Sequence, residues 1–187
     1  MKRLAVLVSG TGSIMESIID SGLPVSLVIA DRECRAITIA AQKGIECELL
    51  YRAGYVRSDK SFDRQEFTER VTAILLRSHI ELVMMAGFMT ILHDYVFRYF
   101  ENKILNTHPS LLPAFKGDHA VSDAWHFGAK ITGCTLHYAT PQLDHGPIVD
   151  QRAVRRLSDD TTESLHERIK IEERRMVPEN LRILMAQ

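Results

Sequence analysis

The sequence predicts an α/β fold: an open, mostly parallel twisted sheet with helices on both faces, extended by antiparallel strands in the C-terminal half. Three observations predict it. Short apolar runs alternate with helix-spaced apolar positions over the first ninety residues, which is the pattern of βαβ units with right-handed crossovers. The first apolar run breaks into a glycine turn, "SGTGS", before a helix opens. Beyond residue 130 the runs alternate polar and apolar residues across a Pro/Asp/Gly turn, as antiparallel strands do.

In order, Leu4 to Val8 is a nearly continuous β-branched run that reads as a strand buried on both faces. "SIMESIIDSG" places Ile14, Met15, Ile18 and Ile19 at helical spacing, and Gly22 closes that helix. "PVSLVIAD" is a second strand, "ECRAITIAAQKG" a helix ending at Gly44, and "IECELL" a third, weaker strand. Residues 51–62 read as a polar loop. "DRQEFTERVTAILLRS" turns Phe67, Val71, Ile74 and Leu75 to one helical face and leads into the buried strand "ELVMMAGF". "ILNTH" is a further strand. "TGCTLHYAT" and "PIVDQRAVR" flank the turn "PQLDHG" and form the antiparallel extension. The last helix opens at Thr161 or Thr162 and carries Leu165, Ile169 and Met176 inward; Pro178 is expected to end or kink it. No repeat or linker divides the chain, so residues 1–187 are expected to be a single domain.

Composition narrows the function classes. With 187 residues the core needs no staples, and 45% hydrophobic with 25% charged residues is ordinary for a globular protein. A net charge of −1 provides no global field for nucleic acid, so anion binding must be local. Cys34, Cys47 and Cys134 have no metal-ligand spacing, and three dispersed thiols fit a reducing cytoplasm; neither disulfide nor metal is expected. The opening "MKRLAVLVSG" is too short in its apolar stretch for a signal peptide. No segment reaches the roughly 20 apolar residues that span a membrane.

"SGTGS" lies where backbone N–H groups and a helix N-terminus cradle an anion. A dinucleotide fingerprint would also use Gly10, Gly12 and Asp31, but Met15 stands where its third glycine belongs. A single-phosphate site and a bare structural turn are the other readings. Asn106 and His108 are two apart on an extended run, so both project to one face about 6 to 7 Å apart while Thr107 points away. An amide that donates to an oxyanion beside an imidazole that moves a proton suits acyl transfer; a capping Asn and a structural His before Pro109 is the plainer alternative. Asp144, in a turn, reads by itself as a backbone-bonding residue. His79, His93, His126 and His166 look like surface or cap residues, whereas His119 and His137 are candidates for lining a cleft.

Together "SGTGS", "DRQEF", "AGFMTIL", "ILNTHPSLLPAFKG" and "LDHGPI" resemble the signature segments of the folate-dependent glycinamide ribonucleotide formyltransferases, in order and spacing, from about residue 3 to about residue 180. The resemblance implies formyl transfer from 10-formyltetrahydrofolate, as cosubstrate, to the amine of glycinamide ribonucleotide in purine biosynthesis. It implies Asn106, His108 and Asp144 as catalytic residues, with Asp144 favouring the imidazolium form of His108. Thr11, Gly12, Ser13, Ile14, Pro109, Lys170 and Glu173 would contact the nucleotide. Arg64, Met89, Thr90, Ile91, Leu92 and Asn106 would contact the folate. Its further implications are small-molecule partners only, no nucleic acid, no membrane and a cytoplasmic monomer or homodimer. A 10-formyltetrahydrofolate hydrolase is similar around the same residues but carries an extra N-terminal domain and reads more like "HHSFLP". Methionyl-tRNA formyltransferases add an RNA-binding domain, and an inactive nucleotide-binding relative is a further alternative. The chain departs from the usual pattern with Ile14 for Asn, Thr90 for a basic residue, Lys116 for proline and Arg174 for histidine.

Overall fold

A computed structural model describes residues 1–187. Seven strands form one sheet: β1 (Leu4–Val8), β2 (Val25–Ala30), β3 (Cys47–Leu49), β4 (Leu82–Met85), β5 (Ile104–His108), β6 (Ile131–Tyr138) and β7 (Ile148–Arg155). Their order is β3-β2-β1-β4-β5-β6-β7, parallel through β5 and antiparallel for β6 and β7. This is the architecture expected from the sequence. The chain leaves β1 toward β2 on one side and returns to β4 on the other, so the carboxyl ends of β1 and β4 bound a switch-point crevice.

The helices are α1 (Ser13–Asp20), α2 (Arg35–Gln42), α3 (Arg64–Arg77), the single turn α4 (Phe97–Phe100), α5 (Ala120–Phe127) and α6 (Thr162–Ala186). One apolar cluster joins α1, α2, α5 and α6 to one face of the sheet through Met15, Ile39, Val121 and Ile169. The other joins α3 and α4 to the opposite face through Phe67, Leu75 and Phe100. Both faces are therefore covered, which is why β1 is buried at every position.

Two expectations need correction. Pro178 does not end the last helix, which runs on to Ala186. Proline there forfeits one backbone hydrogen bond, a cost of about 3 kcal/mol. Met176, Val177, Leu181 and Met185 are buried around it, and each buried side chain of this size contributes roughly 1.5–3 kcal/mol. Packing carries the helix through. The second concerns the stretch around residues 115–130, to which the sequence assigned no element and which contains α5. Its opening residue His119 makes no side-chain cap bond, so the usual start signal is missing, although Gly128 closes it at φ 83°. His119 is exposed at that helix start.

The turn after β1 is built by close packing. Gly12 has φ 72°, and a Cβ on it would lie 2.9 Å from Ala36 Cβ of α2. Glycine is required both by the left-handed backbone and by the approach of α2. Arg35 braces the same turn by donating to the Thr11 carbonyl at 3.0 Å while pairing with Glu16 of α1.

Candidate active site

The carboxyl end of β5 carries the candidate chemistry because of where β5 sits. It is the last strand of the parallel set, paired through Asn106 with Met85 of β4 on one side and with His137 of β6 on the other. The two-residue period of the strand turns Asn106 and His108 to one face. Thr107 turns to the other, where its hydroxyl meets Glu173 of α6.

Asp144 reaches these residues from the β6–β7 turn. It has φ 55°, a left-handed conformation that Asp tolerates. Two residues later Gly146 lies so close to Tyr138 that a Cβ would fall 1.7 Å from its carbonyl oxygen, so only glycine lets the turn fold back. The β6–β7 register also shifts at Leu136/His137, a bulge that re-aims the side chains at the rim. As a result Asp144 is 6% exposed, with Oδ2 3.5 Å from His108 Nδ1 and Oδ1 3.8 Å from His137 Nε2. The Gly117 N–H donates to Oδ2 at 2.9 Å.

His137, 2% exposed, orients Asn106. Its Nδ1–H donates to the Tyr138 carbonyl at 3.0 Å, leaving Nε2 as an acceptor 3.3 Å from Asn106 Nδ2. Burial lowers the affinity of the ring for a second proton, outweighing the Tyr138 carbonyl and the Asp144 charge, so neutral His137 accepts and the Asn106 amide must donate. One Nδ2 hydrogen is thereby used and the second remains for a ligand. His108 donates Nε2–H to the Phe115 carbonyl at 2.8 Å. That carbonyl belongs to the segment 109–119, which lies over the imidazole.

The residues expected at the nucleotide fall into three groups. Thr11, Gly12 and Ser13 form the turn that opens α1 with no side-chain cap, so the first helical N–H groups are free for an anion. Ile14 turns its side chain into the core, leaving only its backbone for this purpose. Lys170 and Glu173 lie on α6, on the Thr107 face; Lys170 donates to Glu167 at 2.7 Å. Buried at 6% exposure, the Glu173 carboxyl is pushed up to about 7, the burial being opposed by the Thr107 hydroxyl and by the Lys170 and Arg174 charges. Pro109 is half-buried directly after His108.

The segment after β4 contains the expected folate residues. Phe88 and Leu92 are buried, while Met89 (69% exposed) and Ile91 present apolar surface at the crevice, which suits a flat heterocycle. Thr90 is different. Its hydroxyl donates to Asp31 Oδ2 at 2.6 Å and it is 1% exposed, so it holds the segment in place and does not face the crevice. Ser9 Oγ accepts from the Met89 N–H at 2.8 Å and also bonds Asp31. Burial raises the Asp31 carboxyl, but bonds from Arg32, Thr90 and Ser9 outweigh it and hold the group below the usual carboxylate range. This Ser9–Asp31–Thr90 network ties the ends of β1, β2 and β4 together. Nothing in the spacing of the three residues announced it. Arg64 is exposed at the start of α3 and has no ion-pair partner.

A family model described as formyl transferase matches residues 2–181. The phosphoribosylglycinamide formyltransferase of Mycobacterium tuberculosis is 41% identical over 180 residues, covering 94% of this chain and 81% of the relative. That of Bacillus subtilis is 32% identical, covering 100% and 96%. Among solved structures, glycinamide ribonucleotide transformylase 1 of Symbiobacterium toebii superposes with a TM-score of 0.91 at 35% identity, covering 100% of this chain and 88% of that one. The phosphoribosylglycinamide formyltransferase of Streptococcus pneumoniae TIGR4 gives 0.89 at 31% identity, covering 98% and 99%.

Proposed function

The chain belongs to the phosphoribosylglycinamide formyltransferase family, and from that premise we propose that it formylates the amine of glycinamide ribonucleotide with 10-formyltetrahydrofolate, through Asn106, His108 and Asp144. The observation that carries this reading is the convergence of an oriented amide donor, an imidazole and a buried carboxylate at the end of β5, beside the switch-point crevice.

The substrate amine attacks the formyl carbon, forming a C–N bond and a tetrahedral oxyanion. The free Asn106 Nδ2–H and a His108 N–H stabilise that oxyanion as its charge develops. His108 frees Nε2–H for this when the Phe115 carbonyl gives way. Asp144, with Oδ2 3.5 Å from His108 Nδ1, orients the imidazole and takes the proton released by the attacking amine, directly or through water. Collapse of the intermediate breaks the bond to N10 of the folate, which receives that proton. The turn Thr11–Ser13 with the Ile14 N–H holds the phosphate, Lys170 adds positive charge, and Glu173 accepts from substrate hydroxyls. Pro109 borders the nucleotide. Met89, Ile91 and Leu92 form the apolar wall for the pterin, Thr90 braces it, and Arg64 meets the folate carboxylate. Residues 1–187 act as one formyltransferase domain.

A formyl-transfer assay tests this. His108→Ala and Asp144→Asn should each lower kcat by roughly 10²–10⁴-fold. Turnover within about tenfold of wild type would overturn the mechanism. Release of tetrahydrofolate with water as the acceptor, and no formylated product, would assign hydrolysis instead.

A further inference from the structure

The sheet has two edges: β3, three residues long, and β7, eight residues long. An edge as long as β7 offers its outward backbone groups to another chain unless something blunts it. We propose that β7 pairs antiparallel with β7 of a second copy of this chain, about a two-fold axis at Ala153, joining two seven-stranded sheets into one.

Hydrogen bonding along the strand is the first support. The Arg156 N–H donates at 3.0 Å to the carbonyl of Lys130, just before β6, continuing the pairing of Ile131 with Arg155. Backbone groups point to alternate sides along a strand, so Val154 and Arg152 also face β6, whereas Gln151, Ala153 and Arg155 direct their N–H and C=O groups outward. Side chains at all three outward positions are exposed. Two of the outward backbone groups are already bonded within the chain. Asp150 Oδ1 accepts from the Gln151 N–H at 2.8 Å, and the Arg155 carbonyl accepts from Arg168 Nη1 at 2.9 Å. The Gln151 carbonyl, both groups of Ala153 and the Arg155 N–H are left for a partner.

An antiparallel copy centred on Ala153 uses these groups and no others. Ala153 faces itself and exchanges two hydrogen bonds, while each Arg155 N–H meets the Gln151 carbonyl of the other copy. The two groups already bonded, the Gln151 N–H and the Arg155 carbonyl, are the ones that face each other across the axis. Moving the register by two residues either way sets a bonded group against a free one, so the strand is self-complementary in this register. Charge is the second support. Asp150 lies opposite Arg156, Arg152 opposite Val154 and Arg155 opposite Gln151, so no like charges oppose each other. Val149 meets Leu157, which is 47% exposed. The second strand runs along a groove of about 310 Å³ between β7 and α6, where Ile171 is exposed.

Sedimentation equilibrium of the full chain at about 100 μM tests this. Wild type should show twice the 21.2 kDa of one chain, with a Tm that rises with protein concentration. Ala153→Pro removes a donor that the fold does not use, at an edge position that tolerates proline. By symmetry it deletes both bonds at the axis and should weaken the dimer about 30-fold. Ala153→Lys and Ala153→Glu should each be monomeric, because each sets like charges face to face. An equimolar mixture of those two variants should dimerise again, which requires residue 153 of one copy to meet residue 153 of the other. Far-UV circular dichroism checks that each variant is folded. A monomeric wild type, an unweakened dimer in a folded variant, or a mixture that stays monomeric would overturn the interface.

Discussion

Glu173 shows how one buried carboxyl sets a pH dependence. Its pKa is raised from 4.5 to about 7 by burial, against the Thr107, Lys170 and Arg174 contributions. At pH below 4.5 the group is neutral in both folded and unfolded chains and costs nothing. Between 4.5 and about 7 the unfolded chain releases the proton while the folded one keeps it, so stability falls as pH rises across that window. At about 1.4 kcal/mol per unit the loss amounts to at most about 3.5 kcal/mol. Glu173→Gln should abolish this slope, gaining on wild type from pH 5 to 8 in urea unfolding; a difference independent of pH would refute the assignment. In the turn after β1, Gly12→Ala should destabilise the fold by roughly 1–3 kcal/mol, from left-handed strain and the Ala36 contact, seen as a lower urea midpoint with unchanged slope. Both residues carry information of different kinds. The glycine was legible from its place in "SGTGS". The protonation of Glu173 was not, because it depends on the burial that α6 acquires only by packing on β6 and β7.

Among the elements, the segment from Pro109 to His119 governs access to His108. The contacts that hold it include Phe115 O on His108, the Gly117 N–H on Asp144, Lys116 Nζ on His145 Nε2 at 2.8 Å, and the Leu112 N–H on Thr135 Oγ1 at 3.0 Å. Phe115 is held at φ 52°, an uncommon conformation for an aromatic residue, so the segment is over-determined by its contacts. Lys116→Ala removes one of them. The Gly117 amide should then exchange its hydrogen about fivefold faster, the effect of losing one hydrogen bond of roughly 1 kcal/mol. Unchanged exchange would mean that Lys116 has no part in holding the segment. The sequence marked this stretch through Pro109, directly after His108. It could not show that a backbone carbonyl would occupy the His108 proton, since that contact depends on where the chain returns after Leu112.

For the whole molecule, the site is a property of sheet order. The β1 turn, the segment after β4, the end of β5, the β6–β7 turn and α6 meet only because the chain reverses direction at β1 and then adds antiparallel strands. On the proposed function, a nucleotide bridging the β1 turn and α6 would couple elements at both ends of the chain. At about 100 times its Kd, glycinamide ribonucleotide should stabilise the fold by about 2.7 kcal/mol, raising Tm by roughly 5 to 10 °C. Gly12→Ala should reduce that rise, and a full rise in the variant would remove the turn from the phosphate site. The sequence by itself determined the strand and helix alternation, the shared face of Asn106 and His108, and the turn that carries Asp144. These follow from local periodicity and backbone preference. Only the tertiary structure decided that His137 fixes the Asn106 amide, that Asp144 lies between two histidines, that Thr90 turns inward to Asp31, and that α6 passes through Pro178. Each depends on burial and on distances between residues far apart in the chain, which no local pattern encodes.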